Sequence, residues 1–217
     1  MAKKYQAIET KIHWATWTAI AAIVVLMITT LILVQPSQEE IFYTNFQAAT
    51  TDVNFDKKLP RDNKFQFVNS LDDQWLGLEK GVYSLASREN HVTFVFFGNV
   101  TNQATVANVA NVYARLYGST KTSPAISAAE IYTKLGDDQV SLFYYEVKDN
   151  QVEGIVNALN DKYEDAEMVI ATMPFVIAFL DGNIVDYAVL TEANVPLQLV
   201  NFYQAVFDSE AVQKLVP

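Results

Sequence analysis

The hydropathy pattern of the chain divides into two regimes. Ala15 to Val34 form twenty consecutive residues without a charge. At 1.5 Å per residue such a helix covers about 30 Å, the thickness of a bilayer's hydrocarbon core. The run therefore predicts one membrane-spanning helix over residues 13–34, with residues 1–12 as a short tail. His13, Trp14 and Trp17 fall where an interfacial belt would lie. Residues 35–64 lose the continuous apolar character and read as a stalk rich in Gln, Asn, Thr and Asp. Within it, Ile41-Phe42-Tyr43 and Phe46 either continue the anchor helix or dock on the domain beyond residue 64.

From Phe65 onward the apolar positions alternate between two periods. Phe65-Gln66-Phe67-Val68 reads as a short strand. Ser70 with Asp73 three positions later resembles a helix start, and Trp75, Leu76 and Leu78 suggest a helix of about ten residues ended by Gly81. Val92 to Phe97 is a nearly continuous apolar run, the pattern of a strand buried on both faces. Val106, Val109, Ala110, Tyr113 and Leu116 recur at helical spacing, and Gly118 closes that helix. Residues 119–139 form a polar insert with a short helix expected from Pro124 to Leu135. Val140–Val147 is a third strand, and Val152–Leu159 a helix weakened by Gly154. An apolar strand opened by the Met173-Pro174 step pairs with a second strand across an Asp181-Gly182-Asn183 turn. A last helix is expected from Pro196 to Leu215. The order β-α-β-α-β-α-β-β-α over residues 65–217 predicts an α/β domain with helices on both faces of a mixed sheet.

Charge sharpens this picture. Lys3, Lys4 and Lys11 precede the apolar run and Glu39 and Glu40 follow it, so the tail is expected in the cytoplasm and the domain outside the cell membrane, as a single-pass protein. A cleaved signal would have a shorter apolar core and a small-residue cleavage site. Leu33-Val34-Gln35-Pro36 offers none, which favours a retained anchor. After residue 34 there are 12 Lys and Arg against 24 Asp and Glu, a formal charge of −12. Such acidity argues against nucleic acid as a partner and against docking on anionic lipid. The chain contains no cysteine, so an exported domain must hold together by its apolar core alone.

The segments Phe96-Phe97-Gly98-Asn99-Val100-Thr101-Asn102-Gln103-Ala104 and Met173-Pro174-Phe175, with Phe179 and Asp181-Gly182-Asn183, resemble the thioredoxin superfamily. In that family an apolar strand ends in an aromatic residue, and Cys-x-x-Cys then opens the next helix opposite a cis-proline. Placed by the strand end, Thr101 and Ala104 occupy the two cysteine positions. Val95 stands about where redox-active members keep a buried acidic residue. The resemblance is thus to a cysteine-less, non-catalytic branch, and it implies a thioredoxin-like mixed sheet flanked by helices and preceded by one transmembrane helix. It also implies a cis Met173–Pro174 bond, and a groove where the residue before the proline offers its backbone to an extended peptide. Asn99, Thr101, Asn102, Gln103, Met173 and Pro174 are the candidate binding residues. Thr101 is expected to cap the helix, and Met173 and Phe175 are candidate apolar contacts, with Phe175 alternatively in the core.

Other chemistry has little footing. His91 is the only histidine after residue 13, and a lone histidine lacks the convergent partners that catalysis or metal binding requires. Asp72-Asp73, Asp137-Asp138 and Glu164-Asp165-Ala166-Glu167 lack calcium-loop spacing, and no phosphate-loop, dinucleotide or nucleophile-elbow motif is present. Neither an enzyme nor a cofactor is expected. The reading is a membrane-anchored binding or assembly module with a protein or peptide partner. Two alternatives stay open. One is an accessory subunit of a larger membrane complex, with Thr16, Ala19, Ala21, Ala22, Thr29 and Thr30 as a packing surface. The other is a groove-based chaperone for exported chains.

Overall fold

A computed structural model describes residues 13–50, 59–117, 135, 138–148, 150–190 and 196–216. The expected tail and the helix expected from Pro124 lie outside the described residues, Leu135 excepted. The chain divides into two units, with the boundary between Ser37 and Gln38.

The first unit is helix α1, Trp14–Val34, of 21 residues, none of them buried. It is long and apolar enough to cross a membrane. His13 caps it, its Nδ1 accepting from the Ala15 amide at 3.3 Å. The hydroxyls of Thr18, Thr29 and Thr30 donate to the carbonyls four residues back, at 3.2, 2.8 and 2.8 Å. Those bonds satisfy the hydroxyls within the helix, which suits a segment placed in an apolar medium.

The second unit is a mixed α/β domain. Its five-stranded sheet has the order β1-β3-β2-β4-β5, with β1 Phe65–Phe67, β2 Val92–Gly98, β3 Val140–Glu146, β4 Phe175–Leu180 and β5 Asn183–Val189. The pairs β1–β3 and β2–β3 are parallel, whereas β2–β4 and β4–β5 are antiparallel. Alternate side chains leave the central strands on opposite faces. Val92, Phe94, Phe96, Leu142, Tyr144, Val176 and Ala178 enter one core, and Val95, Phe97, Phe143, Phe175, Ile177 and Phe179 enter the other. Both faces are covered, which is why the sequence shows continuous apolar runs there. Thr93 interrupts one run and is buried, its hydroxyl donating to the Leu85 carbonyl at 3.0 Å.

The first core is closed by α2 Gln38–Thr50, α4 Gln103–Tyr117 and α6 Pro196–Asp208, the second by α3 Val82–Ala86 and α5 Val152–Lys162. The face expected for α4 is buried as read, from Val106 to Leu116. Tyr203 on α6 ties the two helices, its hydroxyl donating to the Val112 carbonyl at 2.9 Å. The expected turn is present but one residue shorter, with φ of 50° at Asp181 and 79° at Gly182 and with Asn183 opening β5.

Three expectations need correction. The stalk read over 35–64 contains α2, whose Phe42 and Phe46 are buried against Phe65 and Tyr144. The compact unit therefore starts at Gln38 and not at residue 65. Second, Ser70 opens no ten-residue helix. Residues 74–79 form a tight turn closed by a Gln74–Glu79 bridge, and Gly81 starts α3 where it was expected to end a helix. The Asp73 carboxylate accepts from the Gly81 amide at 2.8 Å, so the acidic residue closes a loop. Third, the terminal helix breaks at Ser209, whose side chain caps a short α7, Glu210–Gln213.

Candidate functional site

The parallel strands β1, β2 and β3 all end on one side of the domain, and the loops that leave them build the candidate site. Gly98 ends β2 where a side chain would strike Thr105. Its carbonyl accepts from the Val147 amide at 2.8 Å and the Tyr144 hydroxyl at 3.1 Å. Burial raises the Tyr144 phenol above its ordinary range, which keeps it a donor.

Asn99 then folds the loop on itself. Its Oδ1 accepts from the Thr101 amide and hydroxyl, both at 2.8 Å, and its Nδ2 donates to the Val147 carbonyl at 2.9 Å. The cap of α4 is Asn102, one residue later than the Thr101 expected: Asn102 Oδ1 accepts from the Thr105 amide at 2.9 Å and the Thr105 hydroxyl at 3.2 Å. Asn is a stronger N-cap than Thr, and the Thr101 hydroxyl is already engaged by Asn99.

Across from Asn102 runs the segment before β4. The Met173–Pro174 peptide is cis. Pro174 is buried, and its carbonyl accepts from the Leu190 amide at 2.8 Å. Ala171 and Thr172 are exposed and Met173 half-buried. Among the described residues no backbone hydrogen bond engages Ala171, Thr172 or Met173. These face a groove of about 380 Å³ lined by Asn102, Asn150, Val152, Glu153, Ala171, Thr172 and Met173.

Two of the six predicted residues, Asn102 and Met173, thus share one groove. Asn99, Thr101, Gln103 and Pro174 do not line it. Phe175 is fully buried and stacks on Phe97 at 4.6 Å, so it belongs to the core. Sequence reasoning missed Asn150, Val152 and Glu153. They follow β3, whose parallel pairing with β2 brings its end beside the Asn99 loop, so strand order would have pointed to them.

The groove offers amide and hydroxyl groups, one carboxylate and an apolar wall. Among the described residues its lining includes no basic side chain, so a peptide backbone suits it better than an anion. Among the described residues no three His, Asp or Glu side chains are placed to hold a metal ion. His91 sits at the other end of β2. There its Nδ1 meets the Asp138 carbonyl at 2.9 Å and its Nε2 meets the Ser141 hydroxyl.

No family model and no curated protein matches the sequence. Among solved structures the chain is similar to thioredoxin from Malassezia sympodialis (Mala s 13), a member of a pan-allergen family. That likeness has 13% identity and a TM-score of 0.39, and covers 69% of this chain and 99% of the other. The sheet carries the fold assignment: a mixed five-stranded sheet flanked by helices.

Proposed function

We propose that this chain is a membrane-anchored, extracytoplasmic thioredoxin-like protein that binds an extended segment of a protein partner without thiol chemistry. The observation that carries the reading is the groove at the strand ends. There the backbone of residues 171–173, engaged by no backbone hydrogen bond among the described residues, faces the capped start of α4. A peptide laid along it would gain main-chain hydrogen bonds, with Met173 as an apolar contact, in the manner of strand addition. No thiolate exists to attack or leave, so the site works by binding alone. α1 supplies the tether, and the lysines before it with the glutamates after it favour an N-in orientation.

Full-length protein purified from its native membrane in mild detergent tests this. Replacing Thr172→Arg together with Met173→Lys should leave folding intact and remove the partner that co-purifies with the wild type. Equal recovery of the partner by both forms would overturn the groove. A partner lost only when the α1 residues Ala19, Ala21 and Ala22 are enlarged would instead favour the accessory-subunit reading, in which α1 packs against other helices.

A further inference from the structure

The turn between β1 and α3 exposes a cluster of apolar side chains that the groove does not explain. Trp75, Leu76 and Leu78 are 76%, 107% and 83% exposed. The turn is nevertheless well built. Gln74 and Glu79 exchange backbone bonds at 2.9 and 3.2 Å, and the Gly77 amide donates to the Gln74 carbonyl at 3.0 Å. Lys80 pairs with Asp73 at 3.0 Å at its base. Trp75, Leu76 and Gly77 all have positive φ, at 52°, 57° and 84°, a region bulky residues rarely adopt. Core packing cannot be the cause, because these side chains point away from the domain.

The base of this turn lies beside the start of α2. Gln38, Glu79 and Lys80 line one cavity of about 320 Å³. Only Gln35, Pro36 and Ser37 separate Gln38 from the end of α1. We propose that Trp75, Leu76 and Leu78 form a second membrane contact that inserts into the lipid interface beside the point where the chain leaves the bilayer. The proposal rests on the reading of α1 as a membrane span. Three linking residues reach roughly 10 Å at full extension, so the bilayer surface is the nearest apolar phase to Gln38 and to the turn beside it. Tryptophan favours the headgroup level, with its ring in the apolar boundary and its N–H toward water. Asp72, Asp73 and Glu79 flank the tip, which selects a zwitterionic surface over an anionic one. Span and tip together would fix how the domain stands on the membrane, and so where its groove points.

Trp14, Trp17 and Trp75 are the three tryptophans of the chain, so each can be isolated. Full-length protein carrying Trp14→Phe and Trp17→Phe is reconstituted in phosphatidylcholine vesicles, with Trp75 as the sole emitter. The proposal expects blue-shifted emission, quenching by lipids brominated near the headgroup, and protection from aqueous acrylamide. Adding Leu76→Asp and Leu78→Asp should abolish the lipid quenching while leaving thermal unfolding unchanged. A second form, Trp14→Phe with Trp75→Phe, reports the span through Trp17. Trp17 quenched with Trp75 untouched would overturn the tip alone and leave a protein as its occupant. Neither residue quenched would overturn the span, and with it the tip.

Discussion

Asn99 and Asn102 are three residues apart, yet they do different work. Asn99 holds the β2–α4 loop closed, whereas Asn102 caps α4 and borders the groove. Asn102→Ala should cost about 1 kcal/mol, the usual loss for a removed N-cap, measured by urea unfolding. The sequence displayed the capping residue types but not their order of use, because Thr101 and Asn102 both cap helices and the Asn99 contacts that engage Thr101 are not visible in it. Tyr163 makes a contrasting case. Burial pushes its phenol up to about 12, and its hydroxyl finds no hydrogen-bond partner among the described residues. Its ring packs on Phe179 at 5.6 Å. Tyr163→Phe keeps that packing and removes a buried polar group, so stability should hold or rise, while Tyr163→Ala should lower it. At His91, burial lowers the imidazole below its ordinary value. The unfolded chain therefore binds the proton more readily than the folded one. Stability should be full above about pH 6.5 and fall as the pH drops from there to the folded pKa. His91→Gln should flatten the pH dependence of stability across that window.

At the scale of elements, the sequence was most legible where one physical signal dominates. β2 and β4 lie under helices on both faces, so their apolar runs could mean little else, and the Asp-Gly pair placed the hairpin to within a residue, Asn183 already belonging to β5. α2 was legible only as one of two readings of Phe42 and Phe46, because its polar residues outnumber its apolar ones and the rest of the stretch reads as a stalk. Phe42 and Phe46, one helical turn apart, are what dock it. Phe46→Ala should destabilise the domain by about 3–5 kcal/mol, where a stalk residue would change nothing measurable. Residues 70–81 misled for another reason. Ser70 and Asp73 satisfy loop groups with the same side-chain oxygens that would cap a helix, the Ser70 hydroxyl donating to the Asp72 carbonyl. Gly81 is required there because a Cβ would meet the Asp72 backbone. Gly81→Ala should destabilise by about 1–3 kcal/mol, the range for forced overpacking. The bonds from Gly81, Ser84 and Lys80 hold the Asp73 carboxyl down at about 2, so its contribution is present above about pH 4 and lost as the pH falls toward 2.

For the whole molecule, one apolar helix and an acidic, cysteine-free α/β domain belong to a single proposal: the helix would hold the domain at a membrane, and the domain would present its groove to a partner. The long apolar helix α1 was legible from the length of its uncharged run alone. The groove was only half legible, since Asn102 and Met173 could be placed by resemblance, but its Asn150–Glu153 wall depends on which strands lie side by side. If α1 is retained, the mature chain should resist alkaline extraction from membranes and still begin before Ala15 on N-terminal sequencing. The binding role is tested most directly by placing a photoreactive side chain at Thr172 in the full-length protein and irradiating intact native membranes. A second position, Asn183, lies at the opposite end of β4 and serves as control. The account predicts a discrete adduct with a partner protein from Thr172, none from Asn183, and loss of the adduct when Met173→Lys is added. Equal labelling from both positions, or an adduct indifferent to Met173→Lys, would contradict it.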